Sequence, residues 1–354
     1  MAIFSDTDIN RAMKNGEINI DPLIKGVGPS SVDFHVKQLY KLKKDLVFEP
    51  RMLDEDMDVF LEKRCEKVPL KNNGSEDFWW INNGESYLAT TIENVKMDEN
   101  IMLDVDTRSS WARMGVRVQH VDDRLDVRRD KIFEGSIGLS IICHDKPVKL
   151  RPKDRICQGI FHDGMEFLTN KEILKALGDG KIKFYQTKEW YGEEVTLPKY
   201  EIDNHSLVLS LDPVIRKFIG SEIDPKKDLK GLYEKIDISN GYRIGFNNFF
   251  LGSSAETVYI GPEFVGMLRE IYQSPYNVRT HSNAGYIDPG FEGTITLEQF
   301  IPGIDNKDTI YPYMKMGELE IHPLKTECTK PYKSKYSGQR GATVSKASED
   351  YKNL

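Results

Sequence analysis

No apolar run in this chain approaches the roughly 20 residues that a membrane span requires. The opening MAIFSDTDI also lacks the basic segment followed by an apolar one that marks a secretory signal. A cytoplasmic protein with no membrane partner is therefore expected. Cysteine is scarce: Cys65, Cys143, Cys157 and Cys328 are scattered, and no CxxC pair occurs. That spacing points to free, mostly buried thiols. An excess of positive charge is missing too, because 49 Lys and Arg stand against 56 Asp and Glu for a net charge of -7. This excludes a general coat for a nucleic-acid polymer, which relies on surplus Lys and Arg, but leaves room for a local basic pocket. The 39% apolar and 30% charged residues form an ordinary globular mixture, and 354 residues suffice for two domains with separate cores.

What the chain does contain is one design used twice. SDTDINRAMKNGEINI near the start reads as a capped amphipathic helix, a glycine stop at Gly16 and a short strand. TNKEILKALGDGKIKF at Thr169–Phe184 repeats it, matching Ile9, Ala12, Gly16 and Ile18 with Ile173, Ala176, Gly180 and Ile182. SSVDFHV at Ser30–Val36 is echoed by HSLVLSL at His205–Leu211, and YLATTIENV at Tyr87–Val95 by FLGSSAETV at Phe250–Val258. FEGSIGLSI at Phe133–Ile141 matches FEGTITLEQ at Phe291–Gln299. Four echoes in one order predict a duplication, with unit one at 1–166 and unit two at 167–354. Short alternating strands between Gly, Pro, Asn and Asp, with one convincing helix at the start of each unit, predict mainly β units with sandwich or barrel closure. The charged stretch Met52–Asn83, ending in FWWINN, reads as an insertion in which Trp79 and Trp80 are packing residues.

Strand periodicity in GYIDPGFEGTITLEQF puts Ile295, Leu297 and Gln299 on one face and Thr294, Thr296, Glu298 and Phe300 on the other. On periodicity alone Glu298 reads as an exposed acid on a solvated face. The segments IDPGFEG, ITLE and MKMGELEI, however, resemble the core of the dCTP deaminase and trimeric dUTPase superfamily. PYKSKYSGQRGA near the C-terminus is similar to the closing arm of the deaminases. The resemblance implies two tandem dUTPase-like distorted β-barrel units, each preceded by a short helix. It also implies that Glu298 is the general base of a hydrolytic deamination of dCTP to dUTP and ammonia. Zinc-dependent nucleobase deaminases need HxE and PCxxC segments. Neither occurs here, so no zinc is expected.

DTRSSWARMGV at Asp106–Val116 resembles the RSSxAR motif of the same family. Two arginines and two small hydroxyls beside backbone amides suit phosphate groups. The resemblance implies catalytic roles for Ser109 and Arg113 and phosphate contacts for Arg108 and Ser110. In unit one, however, the position of the glutamate is Ser140, and in unit two the Arg-Ser-Ser equivalent falls within Met267–Val278, where no such motif exists. Each unit keeps what the other has lost, which predicts a composite site. By the same resemblance His281, Tyr286 and Asp288 belong to the base- and sugar-reading loop. Asp288 also suits the cap of a Pro-Gly turn. Tyr332, Lys335, Tyr336 and Gln339 would close over the nucleotide, against the alternative of a solvated tail. Mg²⁺ is expected to arrive on the triphosphate. A homo-oligomer, with a trimer favoured, and dTTP as a feedback ligand are further expectations. Alternatives are a bifunctional enzyme yielding dUMP and a non-catalytic nucleotide-sensing regulator.

Overall fold

In the computed structural model, which describes residues 2–44, 57–121, 125, 132–185, 187–190, 193–196, 201–203, 205–243, 249–269, 279–281, 284–300 and 309–352, each repeat opens on a capped helix. In Asp6–Asn15 the Ser5 hydroxyl accepts the Asp8 N–H (3.3 Å) and the Asp8 carboxylate accepts the Ser5 N–H (3.2 Å). This reciprocal cap satisfies two donors that the first helical turn leaves open. The second helix, Asn170–Gly178, repeats it with Thr169 and Glu172. Each helix buries one Ile and one Ala, Ile9 with Ala12 and Ile173 with Ala176.

The strands of unit one form an antiparallel sheet in the order Met102–Thr107, Arg155–His162, Val32–Leu42, Ser86–Met97, Phe133–Cys143, Val116–His120. Its two ends meet: the Thr107 hydroxyl accepts the Val118 N–H (2.8 Å) and donates to the Val118 carbonyl (3.1 Å), which curls the sheet into a distorted barrel. Unit two keeps the same sequence of neighbours but splits it into two sheets, one with Phe264–Arg269, Lys315–Pro323 and Ser206–Ser210 and one with Phe249–Ile260, Glu292–Phe300 and Arg279–His281, linked by a bridge between Leu211 and Ser254. The hairpin Val214–Phe218 with Tyr233–Asp237 joins the Phe249–Ile260 strand, as the end of Val32–Leu42 with Cys65–Lys67 joins Ser86–Met97 in unit one.

The repeats share even their irregularities. The pairing of Ser86–Met97 with Phe133–Cys143 shifts register between Thr90 and Asn94, and that of Phe249–Ile260 with Glu292–Phe300 between Ser253 and Thr257. In the first bulge the Thr91 hydroxyl donates to the Glu93 carbonyl and accepts the Ile137 N–H. In the second, Ser254 does the same with Glu256 and Ile295. The buried Glu93 and Glu256 carboxylates each accept a backbone N–H from the neighbouring strand, at His35 (3.0 Å) and Ser210 (2.9 Å). Such bulges re-aim a strand while keeping its backbone groups satisfied. Gly135 and Gly293 also share one backbone conformation, φ 153° and 155°, which disfavours any side chain.

Beyond one helix per unit, the structure adds Met57–Arg64 in the insertion and a four-residue helical turn at Ser109–Ala112. Trp79 is buried and donates its indole N–H to the Val68 carbonyl (3.0 Å), a packing role, while Trp80 is half-buried. All four cysteines are free and buried. No described helix is long and apolar enough to cross a membrane. The units are not two beads: the core of unit one continues into Phe218, Leu229, Tyr233, Phe249 and Leu251 of unit two and into Ala342, Val344 and Ala347 of the C-terminal segment.

Candidate active site

Strand alternation makes Ile295 and Leu297 core residues of unit two, as its pattern demands. The opposite face does not meet water, because the C-terminal arm lies over Thr294 and Thr296 and unit one brings Ser109 and Arg113 up to Glu298. Glu298 is 2% exposed, so the exposed acid suggested by periodicity is corrected by a neighbour that the strand's own pattern cannot announce. Ser109 and Arg113 of unit one line the same cavity as Glu298, with Tyr286, Asp288, Tyr332, Tyr336 and Gln339. This cavity, of about 60 Å³, abuts a second of about 480 Å³, and Ser109, Asp288, Tyr332 and Tyr336 line both. The larger one holds Arg108, Ser110 and Lys335. Both halves of the composite are thus brought together within one chain.

The small cavity is rich in polar atoms that make no hydrogen bond with the described residues: Glu298 Oε2, Arg113 Nε and Nη1, Asp288 Oδ1 and Gln339 Oε1. Each such atom costs about 1–3 kcal/mol if left without a partner, so the wall is built to receive a polar ligand. Burial pushes the Glu298 carboxyl up to about 8, with the Arg113 guanidinium pulling it part of the way back. Burial likewise raises Asp288 to about 7, and the Asp33 charge adds to the effect. The Arg113 guanidinium lies over the Tyr336 ring at 3.6 Å from the centroid, a stacking contact that fixes the plane of its fork. From behind, the Tyr233 hydroxyl donates to the Arg113 carbonyl (3.0 Å).

The larger cavity is the basic one. Arg108 and Arg155 each bridge Asp33 and Asp350, at 2.6 to 3.0 Å, and Lys335 also reaches Asp350 at 3.0 Å. Lys25, Lys330 and Lys333 complete its positive lining. Lys25, Arg155 and Asp350 were not found from the sequence. Arg155 had no motif to reveal it; its strand pairs with the one leading into Arg108, which only the sheet order discloses.

The arm is closed and ordered. The Gln339 carbonyl accepts the Thr294 N–H (3.0 Å), the Gly338 N–H donates to the Glu292 carbonyl (2.7 Å), and the Gln339 side-chain amide donates to the Thr294 carbonyl (2.5 Å). The Tyr336 hydroxyl bonds Ser110 Oγ (2.9 Å) and accepts the Lys346 N–H (2.9 Å). A solvated tail is excluded for residues up to Lys352, since Ala342, Val344 and Ala347 are buried. His281 lies opposite Glu298 in strand register, but its side chain is outside the described residues. Most of the Met267–Val278 segment is also outside them; its Arg269 pairs with Glu320 (2.6 Å) and lines neither cavity. Over the unit-one strand that carries Ser140, the insertion helix lays Met57 directly on Gly138, where a Cβ would come within 2.8 Å of Met57 Cε.

A family model described as dCTP deaminase-like matches residues 3–164. A Methanosphaera stadtmanae protein named "dCTP deaminase, dUMP-forming" is 35% identical over 164 residues, covering 46% of this chain and 79% of that protein. A Corynebacterium jeikeium protein of the same name is 30% identical over 198 residues, covering 52% of this chain and 99% of its own length. The crystal structure of 2'-deoxycytidine 5'-triphosphate deaminase from Agrobacterium tumefaciens shares the fold, with a TM-score of 0.73 over 92% of this chain and 96% of that one at 16% identity. The single-unit relatives therefore account for about half of this chain, and the solved structure for both halves. On these matches the chain belongs to the dCTP deaminase family.

Proposed function

We propose that this chain hydrolyses dCTP to dUTP and ammonia, using Glu298 for proton transfer. The observation that carries this reading is the polar wall of the small cavity, where a buried acid and a guanidinium with two unbonded nitrogens face a space joined to a basic pocket. Arg108, Ser110 and Lys335, with Arg155 and Lys25, would hold the triphosphate by charge-assisted hydrogen bonds. Tyr332, Tyr336 and Gln339 would close the nucleotide in, with Tyr286 beside the sugar and the His281 loop at the base edge. Mg²⁺ enters with the substrate, carried on its phosphates.

In the reaction, a water oxygen bonds to the ring carbon that bears the amino group while one of its protons passes to Glu298. Glu298 delivers that proton to the ring nitrogen and then relays the proton of the new hydroxyl to the amino nitrogen, and the carbon–nitrogen bond breaks to release ammonia and leave a ring carbonyl beside a protonated ring nitrogen. An acid whose pKa lies near the working pH suits both transfers. Ser109 and Arg113 orient the water and offset charge that develops during attack. The lack of HxE and PCxxC segments leaves this reading without a protein-bound zinc.

A second reading, a bifunctional enzyme that yields dUMP and pyrophosphate, is favoured by Asp288, which lines both cavities and so lies between the base end and the phosphate end. Incubating the protein with dCTP and Mg²⁺, then separating nucleotides and assaying ammonia, tests both. Ammonia with dUTP is expected, dUMP with pyrophosphate would transfer the proposal to the second reading, and dCTP unchanged would favour a nucleotide sensor. A homotrimer and dTTP feedback belong to the same proposal, checked by mass measurement and by inhibition with dTTP.

A further inference from the structure

Asp106 stands two residues before Arg108, at the end of the strand Met102–Thr107, and contributes to neither cavity wall. One of its oxygens accepts the N–H of Thr107 (2.8 Å). The other accepts the N–H of Tyr286 from unit two (2.9 Å), and the Gly285 N–H also bonds this carboxylate. At its other end Tyr286 is fixed by unit one as well, its hydroxyl donating to Ser30 Oγ (2.7 Å). Tyr286 is therefore pinned across the unit boundary at both backbone and phenol. The segment so held is the cavity wall beside Glu298, since Ala284, Tyr286, Ile287 and Asp288 all line it.

Withdrawing a carboxylate from water is costly. Burial raises Asp106 to about 7, and the Asp104 charge opposes ionisation further. What the cost secures is geometric: two oxygens gather amide hydrogens from two segments that belong to different units. No other side chain of this length offers two acceptor atoms, because an amide offers one oxygen. The strand end that carries Asp106 runs directly into the arginine turn, and so the carboxylate sets the spacing between that turn and the wall.

We propose that Asp106 is a positioning residue for the reaction, fixing the base-facing wall at Gly285–Ile287 against the Arg108–Arg113 turn so that a base held by that wall meets Glu298 and the Ser109 and Arg113 groups of the turn together. The proposal rests on the dCTP reading above. It separates two parts of binding. The phosphates are held within unit one and the arm, independently of Asp106, whereas the position of the base relative to Glu298 depends on it.

The test uses the full chain with Asp106→Ala, Asp106→Asn and Ser30→Ala, measuring kcat and KM for dCTP, inhibition by inorganic tripolyphosphate, and the melting temperature. Asp106→Ala is expected to lower kcat at least about tenfold, within the range that an ångström of misplacement produces, while tripolyphosphate inhibits as in the parent to within about twofold. Asp106→Asn, retaining one acceptor, should fall between, and Ser30→Ala should move kcat in the same direction. Equal losses in kcat and tripolyphosphate binding, or a lower melting temperature with kcat unchanged, would overturn the proposal. Should Asp106→Ala fail to fold, unchanged kcat in both Asp106→Asn and Ser30→Ala would overturn it equally. If the parent chain releases no ammonia from dCTP, the functional reading fails first, and the two failures are told apart.

Discussion

Glu298 shows how a residue's chemistry is set by what covers it. Its pKa of about 8, against an ordinary 4.5, means that the folded protein binds its proton more tightly than the unfolded chain does. Below the unfolded value both states carry the proton and the contribution to stability is complete. As the pH rises from about 4.5 to about 8 the folded state must give up a proton it holds favourably, so stability falls across that window. Asp106 and Asp288, each raised from 3.8 to about 7, act in the same direction. Glu298→Gln removes the largest of these demands while keeping the shape. It is expected to abolish deamination, by about 10²–10⁴-fold if proton transfer is its role. In thermal melts it should lose less stability than the parent between about pH 5 and pH 8. A parallel pH slope for the two proteins would refute the assignment of that charge to Glu298. Function held at the expense of stability is the general pattern for such sites.

At the scale of elements, the helices and the core strands were legible because their causes are local. Ser5 and Thr169 cap helices through side chains three residues away, and Ile295 and Leu297 alternate with polar neighbours. The arm over the strand Glu292–Phe300 was legible only by resemblance, since its contacts run through main-chain atoms of Gly338 and Gln339 that leave no hydrophobic pattern. Gly293 supplies a test of that closure. It shares its positive φ with Gly135, but a Cβ at Gly293 would come within 3.0 Å of the Gln339 carbonyl oxygen, whereas at Gly135 it would meet nothing within 4 Å. Alanine at either position incurs the same backbone strain, about 1–3 kcal/mol. Gly293→Ala should lose further stability in urea melts and speed trypsin cleavage of the arm at Lys333 and Lys335. Gly135→Ala should leave the arm protected. Equal trypsin sensitivity of the two would show that arm and strand are not coupled through this contact.

For the whole molecule, the complementary losses in the two units predict a composite site but not whose halves combine. That choice is made by surfaces that no motif marks: the hairpin Val214–Phe218 and Tyr233–Asp237, the apolar seam of Phe218, Tyr233, Phe249 and Leu251 against unit one, and the Tyr233 hydroxyl on the carbonyl of Arg113. These contacts join unit two to unit one of the same chain, so Arg113 and Glu298 of a single polypeptide line one cavity. Mixing tests this independently of oligomeric state. Arg113→Ala and Glu298→Gln each damage every site if sites form within chains, and co-expressed or co-refolded mixtures should then show no more ammonia release than the two variants measured separately. Sites drawn from neighbouring chains would instead regain activity, because some pairings would unite an intact Arg113 with an intact Glu298. Differently tagged variants, purified through both tags, ensure that exchange has occurred before the rate is read. Recovery in that sample would move the site from within the chain to between chains, and would make assembly a condition of the chemistry.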